Sequence, residues 1–273
     1  METRRMCPHC RAFITTSDRV CPYCNESVAP RRVERSSGPI LGGLIPNAGY
    51  LTILILLINS GLYLATALYS AKGGRGNFVN LDVQTLFEFG AKFGPAIAAG
   101  QWWRLVTAGF LHGGILHILM NSWVLFDLGA QVEELYGGAR MLAIYFVASV
   151  AGFYVSAVWS PQSPSVGASA ALFGMVGAML ALGTRYRGGM GDLIRGVYMR
   201  YLVYLLLFSL LPGVDMAAHI GGLVGGFCLA YVAGRPGHPG SPLERVWQIA
   251  AGLAVLATLY SFFDWYRWFS SAA

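Results

Sequence analysis

Residues 49–71 contain no Asp, Glu, Lys or Arg, and a helix of that length at 1.5 Å per residue crosses a hydrocarbon core of about 30 Å. Similar uncharged apolar runs cover 105–126, 141–159, 166–184, 216–233 and 246–263. A further run, 197–214, is interrupted only by Arg200, near enough to one end for its head to snorkel to the interface. Seven crossings follow, and the predicted fold class is an all-α polytopic membrane protein. Composition agrees: 12% of the 273 residues are charged, about half the share of a soluble domain. That excludes a soluble enzyme, a disordered chain and a coiled coil. The net charge of +6 is carried almost wholly by scattered Arg. No stretch is basic enough for nucleic acid, and none is expected as a partner.

The chain opens on a polar segment, with no apolar stretch before residue 49, so it does not read as a cleavable leader. It holds Cys7-Pro8-His9-Cys10 and, ten residues on, Cys21-Pro22-Tyr23-Cys24. Each Cys-x-x-Cys pair puts two thiolates on one tight turn, and two such knuckles complete a tetrahedral site for structural Zn²⁺. A module this short has little core of its own, so the metal would supply most of its folding energy. The reading is therefore a zinc-ribbon-like four-cysteine module at 1–28, a Pro-, Gly- and Arg-bearing linker at 29–47, a six-helix core at 48–235, and a linker with a seventh helix at 236–273. The small module would be free to take a cytoplasmic partner. Four closed ligands leave no open position for metal-borne catalysis.

Orientation follows from the loops. With the cysteine-rich end in the cytoplasm, 14 of the 19 Lys and Arg lie on the cytoplasmic side and five outside, the expected positive-inside bias. The same orientation keeps the thiols in a reducing compartment. The expected location is a multi-pass integral protein of a bacterial-type plasma membrane.

Polar residues inside such runs are costly and mark function. The second run carries His112, His117 and Asn121, the fourth Ser169, the sixth His219. These three runs all point from outside to inside. Ser169 and His219 each fall about three residues into their run, so they share one depth in the outer leaflet. Beside Ser169 lie Ala170, Gly174 and Ala178, and beside His219 lie Ala218, Gly222, Gly226 and Ala230, both at four-residue spacing. Small-xxx-small stripes let two helix backbones touch. The stripes alone would suit any helix pair; a Ser and a His at equal depth beside them suit catalysis.

These residues carry a resemblance. Gly167-Ala168-Ser169-Ala170, Ala218-His219-Ile220-Gly221-Gly222, His117-Ile118-Leu119-Met120-Asn121 and the upstream Trp103-Arg104 resemble the rhomboid intramembrane serine proteases, over about residues 45–235. Many members have Gly after the nucleophile where Ala170 stands. The resemblance implies a six-helix rhomboid protease core, to which the seventh helix is added, and a catalytic dyad that needs no cofactor. Ser169 would be the nucleophile and His219 its general base. Asp215, one turn ahead of His219, is a weak candidate for orienting the imidazole. Phe173 would lie against the catalytic ring. His117, Asn121 and the Ser169 backbone N–H would form an oxyanion hole, with Gly167 beside it.

His112 is expected near the outer mouth, bonded to water or a loop, in a supporting role. The amphipathic segment 72–104 corresponds in the family to an interfacial structure beside the active site. There Trp103 suits an interfacial belt, and Arg104 suits anchoring to headgroups or backbone carbonyls. Glu133 matches a position that braces helices. The implied function is an endopeptidase that cleaves transmembrane protein substrates near the outer leaflet. The alternative is a catalytically inactive rhomboid-like binding or quality-control protein. A transporter would more often show broken helices and midplane charges.

Overall fold

The computed structural model describes residues 4–7, 9–15, 18–26, 28, 49–186, 188–234 and 241–272. The chain divides into two compact units, Met1–Asn47 and Ala48–Ala273. The linker expected at 29–47 and the one after residue 235 lie outside the described residues, apart from Ser241 onwards.

In the first unit β1 (Arg4–Met6) pairs antiparallel with β2 (Phe13–Thr15), Arg5 opposite Ile14. Its small core consists of Cys7, Ile14, Cys21 and Val28, too little apolar surface to hold a fold without a staple.

The second unit is helical. Long helices are α1 (Tyr50–Lys72), α7 (Gly138–Trp159), α8 (Ser169–Arg185), α9 (Gly189–Phe208), α10 (Met216–Ala233) and α11 (Pro242–Ala272). Between α1 and α7 come three short helices, α2 (Val83–Glu88), α3 (Gly94–Ala98) and α4 (Arg104–Thr107). One continuous helix, Ile115–Tyr136, then follows, made of α5 (Ile115–Val124), a π-helical stretch Leu125–Gly129 and α6 (Ala130–Tyr136). Among the described residues five helices are long and apolar enough to cross a membrane; α8 is apolar but has 17 residues. The protein is a polytopic all-α membrane protein. Its outer faces carry exposed Leu57, Leu64, Leu253, Leu256 and Leu259, a surface that only lipid would solvate well.

Several helix limits differ from the apolar runs. Residues 105–110 are buried in α4 and a 3₁₀ turn, and the second long helix starts at Ile115 and runs on past Asp127 and Glu133. Apolar residues there are covered by protein, so hydropathy marked burial and missed the helix start. The fourth run begins earlier than its helix, which places Ser169 at its first residue, not three residues in. The run 197–214 is helical only as far as Phe208, in a helix that begins earlier, at Gly189, and 209–214 form a turn. The last helix spans Pro242–Ala272, longer at both ends than 246–263.

Helix α8 is the centre, with every residue from Ala170 to Gly183 buried. Glycines set the distances to its neighbours. A Cβ on Gly174 would lie 2.1 Å from Ala148 Cβ of α7, and one on Gly177 would lie 2.3 Å from the Leu223 carbonyl of α10. The methyl of Ala170 is accommodated because Gly152 faces it from α7, where a Cβ would come within 2.7 Å.

Side chains from afar finish the helix ends. No side chain of its own N-cap satisfies α1; instead Glu133 accepts the amides of Leu51 (3.1 Å) and Thr52 (2.9 Å) and the Thr52 hydroxyl (2.9 Å). That satisfies donors every helix N-terminus leaves orphaned. The segment 73–104 is pinned in several places. Asp82 caps α2 through Thr85 N and accepts from Ser70 Oγ. Those bonds hold its carboxyl below the ordinary range although burial works to raise it. Lys92 exchanges two backbone bonds with Ser165 and sends its Nζ to the carbonyls of Ser160 and Ser163. Helix α11 is fastened at both ends. Near its start Glu244 takes a bidentate pair with buried Arg140 of α7, and near its end Trp265 Nε1 donates to the Glu88 carbonyl.

Candidate active site

Ser169 is the first residue of α8 and His219 the fourth of α10. The stripes of small residues bring the two helices into contact: a Cβ on Gly222 would lie 2.0 Å from the Ala170 carbonyl oxygen, and one on Gly226 2.2 Å from that of Gly174. At that separation His219 Nε2 and Ser169 Oγ are 2.8 Å apart. The Phe173 ring, one turn along α8, stacks on the imidazole with centroids 4.2 Å apart and planes 14° apart.

The other imidazole nitrogen is held by a residue the sequence did not single out. His219 Nδ1 lies 2.6 Å from the hydroxyl of Ser209, at the C-terminal end of α9. A lone Ser in an apolar run, ten positions before the His, carries no local signal of that contact. Asp215, the candidate orienter, does something else. Its Oδ1 accepts the Ala218 amide and caps α10, and its Oδ2 bonds the Ser156 hydroxyl.

His117 and Asn121 share one face of α5, as their four-residue spacing requires. The Gly113 amide faces His117 Nδ1 at 3.5 Å, an arrangement that favours the neutral tautomer with its proton on Nε2. That nitrogen faces Gly167: a Cβ built there would lie 2.7 Å from His117 Nε2 and 3.5 Å from Ser169 Oγ. Gly167 has φ +134°, a conformation L side chains rarely adopt, and its amide is held by the Ala108 carbonyl at 2.9 Å. Asn121 Nδ2 is buried with no hydrogen-bond partner among the described residues. The space beside Ser169 Oγ therefore has His117 Nε2 next to it and no Cβ in it, and Asn121 lines the same cleft.

His112 is not on the helix and not at an open mouth. It sits in the segment before α5, 1% exposed and edge-on to His117 with centroids 5.2 Å apart. Trp103 likewise departs from the place expected for it in an interfacial belt. It is 9% exposed and packs on Trp268 of α11 rather than facing the interface. Arg104 is fully buried and takes the carbonyl option, bonding Phe87 O (2.8 Å), Ala91 O (3.0 Å) and Gln101 Oε1 (2.6 Å) under the Phe87 and Trp268 rings.

A cleft of about 440 Å³ leads to Ser169 and His219. Leu116, Met120 and Val124 of α5 line one side, Leu205 and Phe208 of α9 the other. A mostly apolar cleft of this size that reaches a Ser–His pair can hold an apolar ligand.

In the first unit the four Sγ atoms of Cys7, Cys10, Cys21 and Cys24 lie within 4.8 Å of one another. Cys7 to Cys24 is 3.8 Å and Cys10 to Cys21 is 3.6 Å. Tetrahedral coordination at a Zn–S distance of about 2.3 Å puts sulfurs about 3.8 Å apart, so the set fits one such ion. The two knuckles are built alike. Arg11 and Asn25, each four residues past the first Cys, have positive φ and donate their amides to the Cys7 and Cys21 carbonyls.

The sequence model of a family described as Rhomboid domain matches residues 99–236. Among curated proteins the chain is similar to the rhomboid protease GluP of Bacillus subtilis (strain 168), with 39% identity over 160 residues, 57% of this chain and 31% of that protein. It is also similar to the mitochondrial RHOMBOID-like protein 6 of Arabidopsis thaliana, 37% identical over 57% of this chain and 52% of the relative. Rhomboid-like protease 3 of Toxoplasma gondii is 34% identical over 54% and 57%. The match thus spans from about a third to just over half the length of these relatives.

Proposed function

The chain belongs to the rhomboid family, and from that premise we propose that it is an intramembrane serine endopeptidase acting through Ser169 and His219. The observation that carries the proposal is the 2.8 Å approach of Nε2 to Oγ in a cleft that His117 and Asn121 also line. A serine hydroxyl becomes a useful nucleophile when a base in hydrogen-bond reach takes its proton. In the first step Ser169 Oγ attacks the scissile carbonyl and its proton passes to His219 Nε2. The carbonyl oxygen becomes an oxyanion in the space beside Gly167. There Asn121 Nδ2, His117 Nε2–H and the Ser169 amide, one of the free donors of a helix N-terminus, stabilise it. His219 then returns the proton to the leaving amine, and water hydrolyses the acyl-enzyme by the same route reversed.

The substrates proposed are transmembrane helices that enter the cleft between α5 and α9 and unwind locally near the outer leaflet. With the positive-inside bias, the N-terminal unit lies in the cytoplasm of a bacterial-type plasma membrane. There Cys7, Cys10, Cys21 and Cys24 would hold a structural Zn²⁺, which serves folding of that unit and takes no part in catalysis.

Fluorophosphonate labelling of the purified full chain tests the reading. Labelling of wild type and its loss in Ser169→Ala and His219→Ala, with parallel loss of cleavage of a model transmembrane substrate, is the expected result. An unlabelled wild type that is folded in detergent would return the chain to the inactive-relative reading.

A further inference from the structure

The base of the dyad has a third partner whose hydrogen bonds determine where its proton sits. Ser209 Oγ is 2.6 Å from His219 Nδ1 and 2.8 Å from the Leu205 carbonyl. A hydroxyl has a single proton, and a carbonyl can only accept, so with both contacts made as hydrogen bonds the proton of Ser209 goes to Leu205 O. The hydroxyl oxygen is then left to accept, and Nδ1 must carry a hydrogen. A neutral imidazole protonated on Nδ1 has its lone pair on Nε2, and Nε2 is the atom facing Ser169 Oγ.

We propose that Ser209 is a positioning residue that locks His219 in the Nδ1–H tautomer, completing a Ser169–His219–Ser209 relay in place of a carboxylate triad. This rests on the protease reading above. The hydroxyl holds the ring in the tautomer able to accept the Ser169 proton. Once that proton arrives, both ring nitrogens carry hydrogens, and Nδ1–H continues to donate to Ser209.

Three features support the assignment. Both groups are buried, Ser209 at 4% and His219 at 5% exposure, so water competes poorly for the bond. The ring cannot easily turn away, because Phe173 stacks on its face. The nearest acid on the same helix, Asp215, is committed to the Ala218 amide and to Ser156. The residue that sets the tautomer thus lies on neither helix of the dyad but at the end of α9, whose Leu205 and Phe208 wall the cleft.

The test uses the full chain in detergent with Ser209→Ala, Ser209→Thr and Ser209→Val, the last being the shape of Thr without its hydroxyl. The readouts are kcat and KM on a model transmembrane substrate, the rate of fluorophosphonate labelling, and ¹⁵N NMR of histidine-labelled protein with the His219 signals assigned through His219→Gln. Ala and Val are expected to lower kcat and labelling rate about 10- to 100-fold with KM little changed, while Thr retains most of both. The wild-type spectrum is expected to show neutral His219 protonated on Nδ1, and the Ala and Val spectra a shift toward Nε2–H. A wild-type ring protonated on Nε2, or turnover in Ser209→Ala and Ser209→Val within twofold of wild type, would overturn the assignment. Failure of the protease reading has its own signature, a folded wild type that neither labels nor cleaves. That would remove the catalytic role of Ser209, and the spectra would still decide whether it holds the tautomer.

Discussion

Nothing but backbone separates Gly222 from the carbonyl of Ala170, since a Cβ at 222 would lie 2.0 Å from that oxygen. Gly222 is one turn past His219 and Ala170 is next to Ser169, so this contact sets the distance between the two side chains. Gly222→Ala is expected to push α10 from α8. Overpacking of this kind costs about 1–3 kcal/mol and here would also lengthen the Nε2 to Oγ approach. Thermal unfolding in detergent should show a lower Tm together with slower fluorophosphonate labelling. Gly61→Ala is the control. Nothing lies within 4 Å of its Cβ position, and Ala is the better helix former, so its Tm should hold or rise.

Asn121→Ala should reduce kcat about 100-fold and leave KM nearly unchanged. The amide would act on charge that develops only in the transition state, and Nδ2 has no partner to lose among the described residues. An equal rise in KM would assign it to ground-state substrate binding.

Glu133→Ala should loosen the start of α1. The carboxylate satisfies two amides and a hydroxyl there, and losing such a cap costs about 1–2 kcal/mol. Hydrogen exchange at Leu51 and Thr52 is the direct measure, and faster exchange confined to that end is expected.

Arg140 is 1% exposed and paired with Glu244 through both oxygens. Glu244→Gln removes the partner of a buried cation, an effect of about 3 kcal/mol. The double change Arg140→Met with Glu244→Leu should recover most of the lost Tm, because no unpaired charge then remains. A double variant no more stable than Glu244→Gln would refute this account of the contact.

Metal analysis of the full chain should find one Zn²⁺, and Cys10→Ser should reduce it. A chain beginning near residue 38 should still cleave a model substrate in detergent, because all the groups assigned to catalysis lie in the second unit. Loss of all turnover in that truncated chain, with its helices folded, would contradict the expectation.

Much was determined by the sequence alone because it depends on neighbours along the chain. Uncharged runs long enough to cross a bilayer dictate a helical membrane protein, and Cys-x-x-Cys spacing makes a sulfur turn wherever it sits. Four-residue periodicity puts His117 with Asn121 on one helix face, and small residues on two others. Contacts between distant segments were settled only in the tertiary structure. Hydropathy cannot tell cover by protein from cover by lipid, so residues 105–110 read as part of a crossing although they pack beneath other elements, and Trp103 read as an interfacial residue although Trp268 covers it. The burial of His112, the pairing of Arg140 with Glu244 and the bond from Ser209 to His219 Nδ1 depend likewise on how helices cross. In each case the partners are chosen by a distance of a few ångströms between elements that no local pattern encodes.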